Sequence, residues 1–423
     1  MKYLLLLVWS AFALASQFET DIDKAFQLAQ KSNRPLLISF FGVWCPPCNE
    51  LEEIVFESTK FIEKSKNFTL LKVDADKKES WTLKNKYKVG GYPTLVFTDP
   101  KGKEIYRVVG FRSIDEFMKI MDLVLRSKGV DFKSACSKKG LDDLLRCATV
   151  CSEREDKECA KIAFKKILTI AGKNTVPYLI AETFFAETNS QPELKKNAFE
   201  NLLKNNPVTP QSLVWALSYL ELGNPNLDLL KKVISQFEDI QKNPLAESLG
   251  ITATDEIQMQ AQLLEAVGKI EESKSAWALA SQKLEEKAVN LGDKSVARGF
   301  TIERIGALEM AGKKEEALKL AQEYRKKFPL EFTFHYQTAS LLESLKRYPE
   351  ALKTAEESYL HSYGDNRIRA ATLWIRLLAT VPDKAQAQKV FDEVSRELDP
   401  DASLQIRTHR YLKKLQEAWR AFP

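Results

Sequence analysis

Two cysteines set two residues apart, Cys45 and Cys48 in Trp44-Cys45-Pro46-Pro47-Cys48, are the residues in this chain best placed to do chemistry. An apolar run, Leu36-Leu37-Ile38-Ser39-Phe40-Phe41, precedes them and reads as a buried strand. A helical pattern carrying Leu51, Ile54, Val55, Phe61 and Ile62 on one side follows. At such a junction the two thiols can close and open a disulfide within one turn. Unpaired N–H groups at the helix start favour the thiolate of the first cysteine. Cys45 is therefore the attacking thiolate and Cys48 the residue that resolves the mixed disulfide. The alternative, half of a zinc site, needs two further ligands at matching spacing, and the expectation is no metal and no cofactor.

The elements around the pair must hold it in place. Asp21 to Ser32 reads as an amphipathic helix, and Pro35 opens the first strand. Leu70 to Asp74 is a second strand, and residues 79 to 87 are a short helix. Thr94–Thr98 and Ile105–Val109 flank the turn Asp99-Pro100-Lys101-Gly102 and form a hairpin. A last helix runs from Ser113, its N-cap, to about Arg126. The resulting order, α-β-α-β-α-β-β-α, predicts a central mixed sheet with helices on both faces over residues 18–128.

This segment resembles the thioredoxin superfamily. Besides the CxxC, Val89-Gly90-Gly91-Tyr92-Pro93-Thr94 stands where that superfamily has its cis-proline loop. The resemblance implies that Trp44, Tyr92 and Pro93 shape the substrate surface. From Trp44 to Phe111 the pattern is most similar to the C-terminal domain of bacterial transmembrane disulfide-interchange reductases of the DsbD type. It includes WCPPC, the Leu70-Leu71-Lys72-Val73-Asp74 strand, GYPT and DPKGKE. Thioredoxins usually carry a buried aspartate six residues before the first cysteine, as proton acceptor for the second; here that position is Ser39. The reductase family has a glutamate seven residues after the first cysteine, kept here as Glu52. Glu52 is thus a candidate for proton transfer, or else an ordinary solvated helix residue.

The N-terminus has the form of an export signal over residues 1–15: Lys2, an uncharged stretch from Tyr3 to Leu14, and Ala13-Leu14-Ala15 as a cleavage site. That stretch falls short of the roughly 20 residues that span a bilayer. A periplasmic or secreted protein in an oxidising compartment is expected, with no membrane insertion after the signal is removed. Lys+Arg (63) exceeds Asp+Glu (58) by only 5 and forms no basic arm, so nucleic-acid binding has no support. His335, His361 and His409 are scattered and form no ligand motif.

Residues 129–172 carry Cys136, Cys147, Cys151 and Cys159. In an exported protein these read as two structural disulfides, with three pairings open. Two helices, Leu141–Cys151 and Glu155–Ala171, joined near Ser152-Glu153, set Cys147 across from Cys159. That favours Cys147–Cys159 with Cys136–Cys151. Free buried thiols and an internal electron relay are the other readings.

From 173 to 423 helical runs break at recurrent Gly, Pro and Asn positions. Ala317, Ala351 and Ala385 follow such breaks at intervals of 34, and Pro329 lies 12 after Ala317. This resembles tetratricopeptide repeats and implies an all-α solenoid whose groove binds a protein partner. Trp215, Trp277, Tyr336 and Trp374 are expected to be packing residues. The combined expectation is an exported thiol–disulfide oxidoreductase acting on disulfide-containing clients. A reductant would draw electrons from a separate membrane donor. The competing readings are a redox-poised adaptor whose repeats carry the function, and a disulfide oxidase.

Overall fold

The computed structural model describes residues 18–126, 140–153, 156–205, 208–243, 251–291, 297–397 and 406–422. The expected signal segment and Cys136 lie outside the described residues. The first unit runs α1 (Ile22–Ser32), β1 (Leu36–Phe41), α2 (Pro46–Glu50), α3 (Thr59–Ser65), β2 (Thr69–Asp74), α4 (Trp81–Lys86), β3 (Thr94–Thr98), β4 (Glu104–Val109) and α5 (Ile114–Arg126). The strands form one mixed sheet in the order β2-β1-β3-β4. β1 pairs parallel with β2 and antiparallel with β3, and β3 pairs antiparallel with β4.

Being central, β1 is covered on both faces, which is why it reads as an unbroken apolar run. Leu36, Ile38 and Phe40 face a core with Ala25, Ala29, Val73 and Leu83; Leu37 faces another with Leu51, Val55, Phe61 and Phe117. Alternation puts buried Ser39 on the Leu37 side, the side of the helix that carries Cys48.

The segment after the CxxC is not the single helix expected. Five α-helical residues pass into a π-helical turn, Leu51–Phe56, and the chain breaks at Glu57. Ser58 then caps a new helix, α3, by accepting from Phe61 N–H at 3.2 Å. The break lets Leu51, Val55, Phe56 and Phe61 all reach the same core.

The rest of the described chain is helical: α6 (Leu141–Glu153), α7 (Lys157–Ile170), α8 (Val176–Thr188), α9 (Pro192–Asn205), α10 (Pro210–Leu220), α11 (Leu227–Ser235), α12 (Phe237–Gln241), α13 (Ala253–Ala266), α14 (Ile270–Asn290), α15 (Arg298–Met310), α16 (Lys314–Lys327), α17 (Phe332–Ser344), α18 (Tyr348–His361), α19 (Asp365–Leu378), α20 (Lys384–Glu397) and α21 (Ile406–Arg420). From α13 to α20 most helices pack on the next, and α21 closes on α19. Among the described residues no helix is long and apolar enough to cross a membrane.

Gly312 and Lys346, 34 residues apart, both take left-handed backbone at the end of a helix, with φ of 81° and 61°. Ala317 and Ala351 are fully buried where helices touch. Ala385 is exposed instead, and Ala387 occupies the buried place. The cause is a longer turn: α20 begins 36 residues after α18, whereas α18 begins 34 after α16. Trp215, Trp277 and Trp374 are core residues, but Tyr336 is only partly buried and lines a cavity.

The helical array rests directly on the first unit. α15 packs on α2. At Gly299 a side-chain Cβ would stand 2.6 Å from the Pro46 carbonyl oxygen and 3.0 Å from Asn49 Cβ. Gly364, at φ 57°, lies against the backbone of Asp76. Next to it Tyr363 donates to Asp74 Oδ2 and Asn366 to Asp76 Oδ2, each at 2.6 Å.

Two glycines of α15 therefore predict opposite outcomes for one substitution. Gly306 has open space around it, so Gly306→Ala should stabilise by about 0.5–1 kcal/mol through helix propensity. Gly299→Ala should destabilise by about 1–3 kcal/mol through overpacking against Pro46, and should speed alkylation of reduced Cys45. Urea unfolding and timed iodoacetamide labelling of the two variants read this out; equal effects would contradict the docking.

Candidate active site

Cys45 is the N-cap of α2 in extended backbone, and its carbonyl accepts from the N–H groups of Cys48 and Asn49, each at 3.1 Å. Pro46 and Pro47 fill the first turn, where the missing N–H groups cost nothing. Cys45 and Cys48 are joined, with S–S 2.11 Å and Cα–Cα 5.2 Å. They are 2% and 6% exposed, so the pair is nearly covered.

The Tyr92–Pro93 bond is cis. Its loop is held by Thr94 Oγ1 donating to Gly91 O at 2.8 Å and by Gly110 N–H donating to Pro93 O at 2.9 Å. The Tyr92 ring meets the Trp44 ring edge-on at 6.2 Å, which brings the proline loop to the CxxC loop. Trp44 is turned by its Nε1, which donates to Asp76 Oδ2 at 2.6 Å. The Arg369 guanidinium lies 5.8 Å from its ring. Thus Trp44 and Tyr92 lie together beside the Cys45–Cys48 pair, and the array adds Arg369.

Ser39 is 1% exposed and sits in register with Lys72 of β2. Lys72 Nζ bonds Glu52 Oε2 at 2.5 Å, and both side chains are partly exposed. Glu52 is therefore ion-paired on the strand neighbour of Ser39, where the usual aspartate would stand.

Glu50 and Glu303 are titratable groups that sequence reading did not single out. Glu50 ends α2 and is 6% exposed; Glu303 is on α15. Burial pushes the Glu50 carboxyl up to about 7, with Asp255 and Glu53 adding to the rise and Lys287 opposing it. Burial, then Glu50 and Asp255, push Glu303 up to about 8, against Lys287 and a Gln258 hydrogen bond. Their meeting joins residues some 250 positions apart, and no local pattern signals it.

In the hairpin α6–α7 the structure joins Cys151 to Cys159, with S–S 1.99 Å and Cα–Cα 5.6 Å. This overturns the expected Cys147–Cys159 and Cys136–Cys151 pairing. α6 runs to Glu153, so Cys151 is in its last turn and lies nearest the first turn of α7. Cys147 is one turn further back, its Sγ 3.9 Å from Cys151 Sγ, and is also disulfide-bonded.

Comparison with known proteins bears on this geometry. The thioredoxin-like domain family matches residues 22–125. Residues 22–125 form a thioredoxin-like domain. The chain is similar to the thiol:disulfide interchange protein DsbD of Campylobacter jejuni strain RM1221, 30% identical over 112 residues, covering 26% of this chain and 20% of that protein. It is also similar to DsbD of Yersinia pestis strain Pestoides F, 36% identical over 95 residues, covering 22% of this chain and 16% of that protein. The match thus spans a fifth or less of the length of these curated relatives. Among solved structures, a thioredoxin from Thermus thermophilus is 28% identical and covers 29% of this chain and 94% of its own, with a TM-score of 0.26. The thioredoxin-like domain with its Cys45–Cys48 pair carries the equipment of thiol–disulfide oxidoreductase chemistry.

The raised carboxyls make stability depend on pH. Folding holds protons on Glu50 and Glu303 that the unfolded chain releases near 4.5. Their contribution is full below that value and is lost as pH rises through about 7 to 8. Urea unfolding at pH 5.5, 7 and 8.5 should show wild type weakening towards 8.5. Glu303→Gln should flatten that fall; an unchanged slope would rule out the pair.

Proposed function

We propose that the chain is an exported thiol–disulfide oxidoreductase that reduces or exchanges disulfides in client proteins. The observation that carries this is the Cys45–Cys48 pair at a helix start, joined through Trp44 and Tyr92 to a cis-proline loop within a thioredoxin-like domain. Cys45 thiolate attacks one client sulfur, forming a mixed disulfide and releasing the other client sulfur as a thiolate. Cys48 thiolate then attacks Cys45 Sγ and expels the second client sulfur. The client gains two electrons, the CxxC becomes a disulfide, and a membrane donor must reduce it again. Trp44, Tyr92 and Pro93 form the client-facing surface. Ser39 holds no proton acceptor, so the Cys48 proton leaves by way of the Glu52–Lys72 pair or solvent.

Within this reading residues 1–15 are the export signal and 18–128 the catalytic domain. Residues 129–172 are a disulfide-held hairpin, and 173–423 are tetratricopeptide-like repeats that receive a protein partner. The reductive direction has two supports. The relatives over this segment are named interchange proteins. Pro46 and Pro47 give the Cys45 sulfur no N–H or charge that would stabilise a thiolate strongly enough for a potent oxidant. A second reading, a redox-poised adaptor, draws on the near-complete cover over Cys45.

Equilibration of the full chain with glutathione buffers should give a potential near about −270 mV; one near about −120 mV would make it an oxidase. Cys48→Ser should accumulate mixed disulfides with clients in cells, and Cys45→Ser should accumulate none. No trapped client and no turnover of any disulfide by wild type would leave the adaptor reading.

A further inference from the structure

The array holds the residues on both sides of Cys45. Before it stands Trp44, whose ring has the Arg369 guanidinium of α19 at 5.8 Å. The Trp44 indole N–H shares Asp76 Oδ2 with the side-chain amide of Asn366, also on α19. After it stands Pro46, whose carbonyl oxygen faces Gly299 of α15 with no room for a Cβ between them. The same missing Cβ would stand 3.0 Å from Asn49 Cβ, at the far side of Cys48. Ile54, in the π-helical turn that follows, packs against the array's own core. Cys45 lies between these contacts and is 2% exposed, with Cys48 at 6%.

Thiol–disulfide exchange depends on access to the attacked or attacking sulfur. A disulfide carried on a folded protein brings its own backbone with it, so a sulfur this well covered offers it no approach. The same cover stands in the way of a protein thiol that would reduce the Cys45–Cys48 bond.

The contacts that make the cover are of a kind that can be given up. Tyr363 donates to Asp74 Oδ2 and Asn366 to Asp76 Oδ2, and water can take the place of each donor. At two close approaches, Gly299 on Pro46 and Gly364 on Asp76, the array lays a glycine against the first unit, so no side chain interlocks there. Units of one chain joined through polar contacts move relative to one another unless the interface is large and apolar.

We propose that the helical array is an autoinhibitory cover: while α15 and α19 are docked, Cys45 is withheld from protein disulfides and protein thiols, and exchange proceeds only from a form in which the seam has opened. The proposal rests on the oxidoreductase reading of the dithiol and adds the regulation of that site.

The test labels Cys45 of the reduced full chain with two reagents, N-ethylmaleimide and a maleimide carrying a polyethylene glycol chain, and follows Cys45 by peptide mass spectrometry. Both reagents use the same thiolate, so the ratio of their rates reports access and cancels any change in the acidity of the thiol. In wild type the bulky reagent should be slower by at least about tenfold, because it reaches only the opened form. Two variants loosen the α19 side. Gly364→Ala drives a methyl group into the Asp76 backbone. Asn366→Asp sets a second carboxylate against Asp76 at a fully buried position. Each should close the gap between the reagents about tenfold, the change that about 1.4 kcal/mol of lost docking produces. Reduction of insulin by each chain, with dithiothreitol as electron source, should quicken in step. Equal labelling of wild type by the two reagents would overturn the cover whatever the variants do. An unchanged gap in both variants would also overturn it, as would wild-type insulin reduction as fast as theirs. A narrowed gap with no insulin reduction by any of the three chains would leave the cover standing and defeat the oxidoreductase reading.

Discussion

The Asp76 carboxylate is the hinge of the arrangement. The residue is 2% exposed, and a buried charge persists only where donors surround it. Its Oδ2 receives the Trp44 indole N–H from the CxxC loop and the Asn366 amide from α19, each at 2.6 Å. One oxygen thus fixes the tryptophan beside the reactive cysteine and the helix that carries Arg369. Tyr363 adds a parallel tie to Asp74, and burial together with that carboxylate holds its phenol protonated and donating. Removing the array would leave Asp76 to water and Trp44 without its guanidinium neighbour.

Much of the thioredoxin-like domain was legible because its signals are local. β1 is apolar throughout since it lies between two cores, and the hairpin is announced by its turn. The cis-proline loop was expected from its position after the CxxC. The π-helical turn at Leu51–Phe56 was not legible, because an amphipathic pattern looks alike whether or not one residue is inserted. Ala387 displaced Ala385 because a repeat count cannot see a turn two residues longer. The cysteine pairing failed on where α6 ends, and boundaries are the weakest part of any sequence reading.

The larger omission concerns contacts between distant parts of the chain. Glu50 looked like any polar residue after a CxxC motif; its character comes from α13, α14 and α15, which bring Asp255, Lys287 and Glu303 to it. Gly299 looked like a weak spot in a helix, and it is the place where α15 can lie on the Pro46 carbonyl. In each case the residue type is explained by a surface hundreds of positions away. A helical array of this kind is a wall of the active site as well as a surface of its own.

That wall also orders events while the chain is being made. Asn366 lies 290 residues beyond the Asp76 it binds. At about 5–20 residues per second, roughly 15–60 s pass between emergence of the dithiol loop and arrival of the helix that seals it. The nascent chain therefore has an interval with its two cysteines uncovered, open to whichever oxidant or reductant stands at the exit.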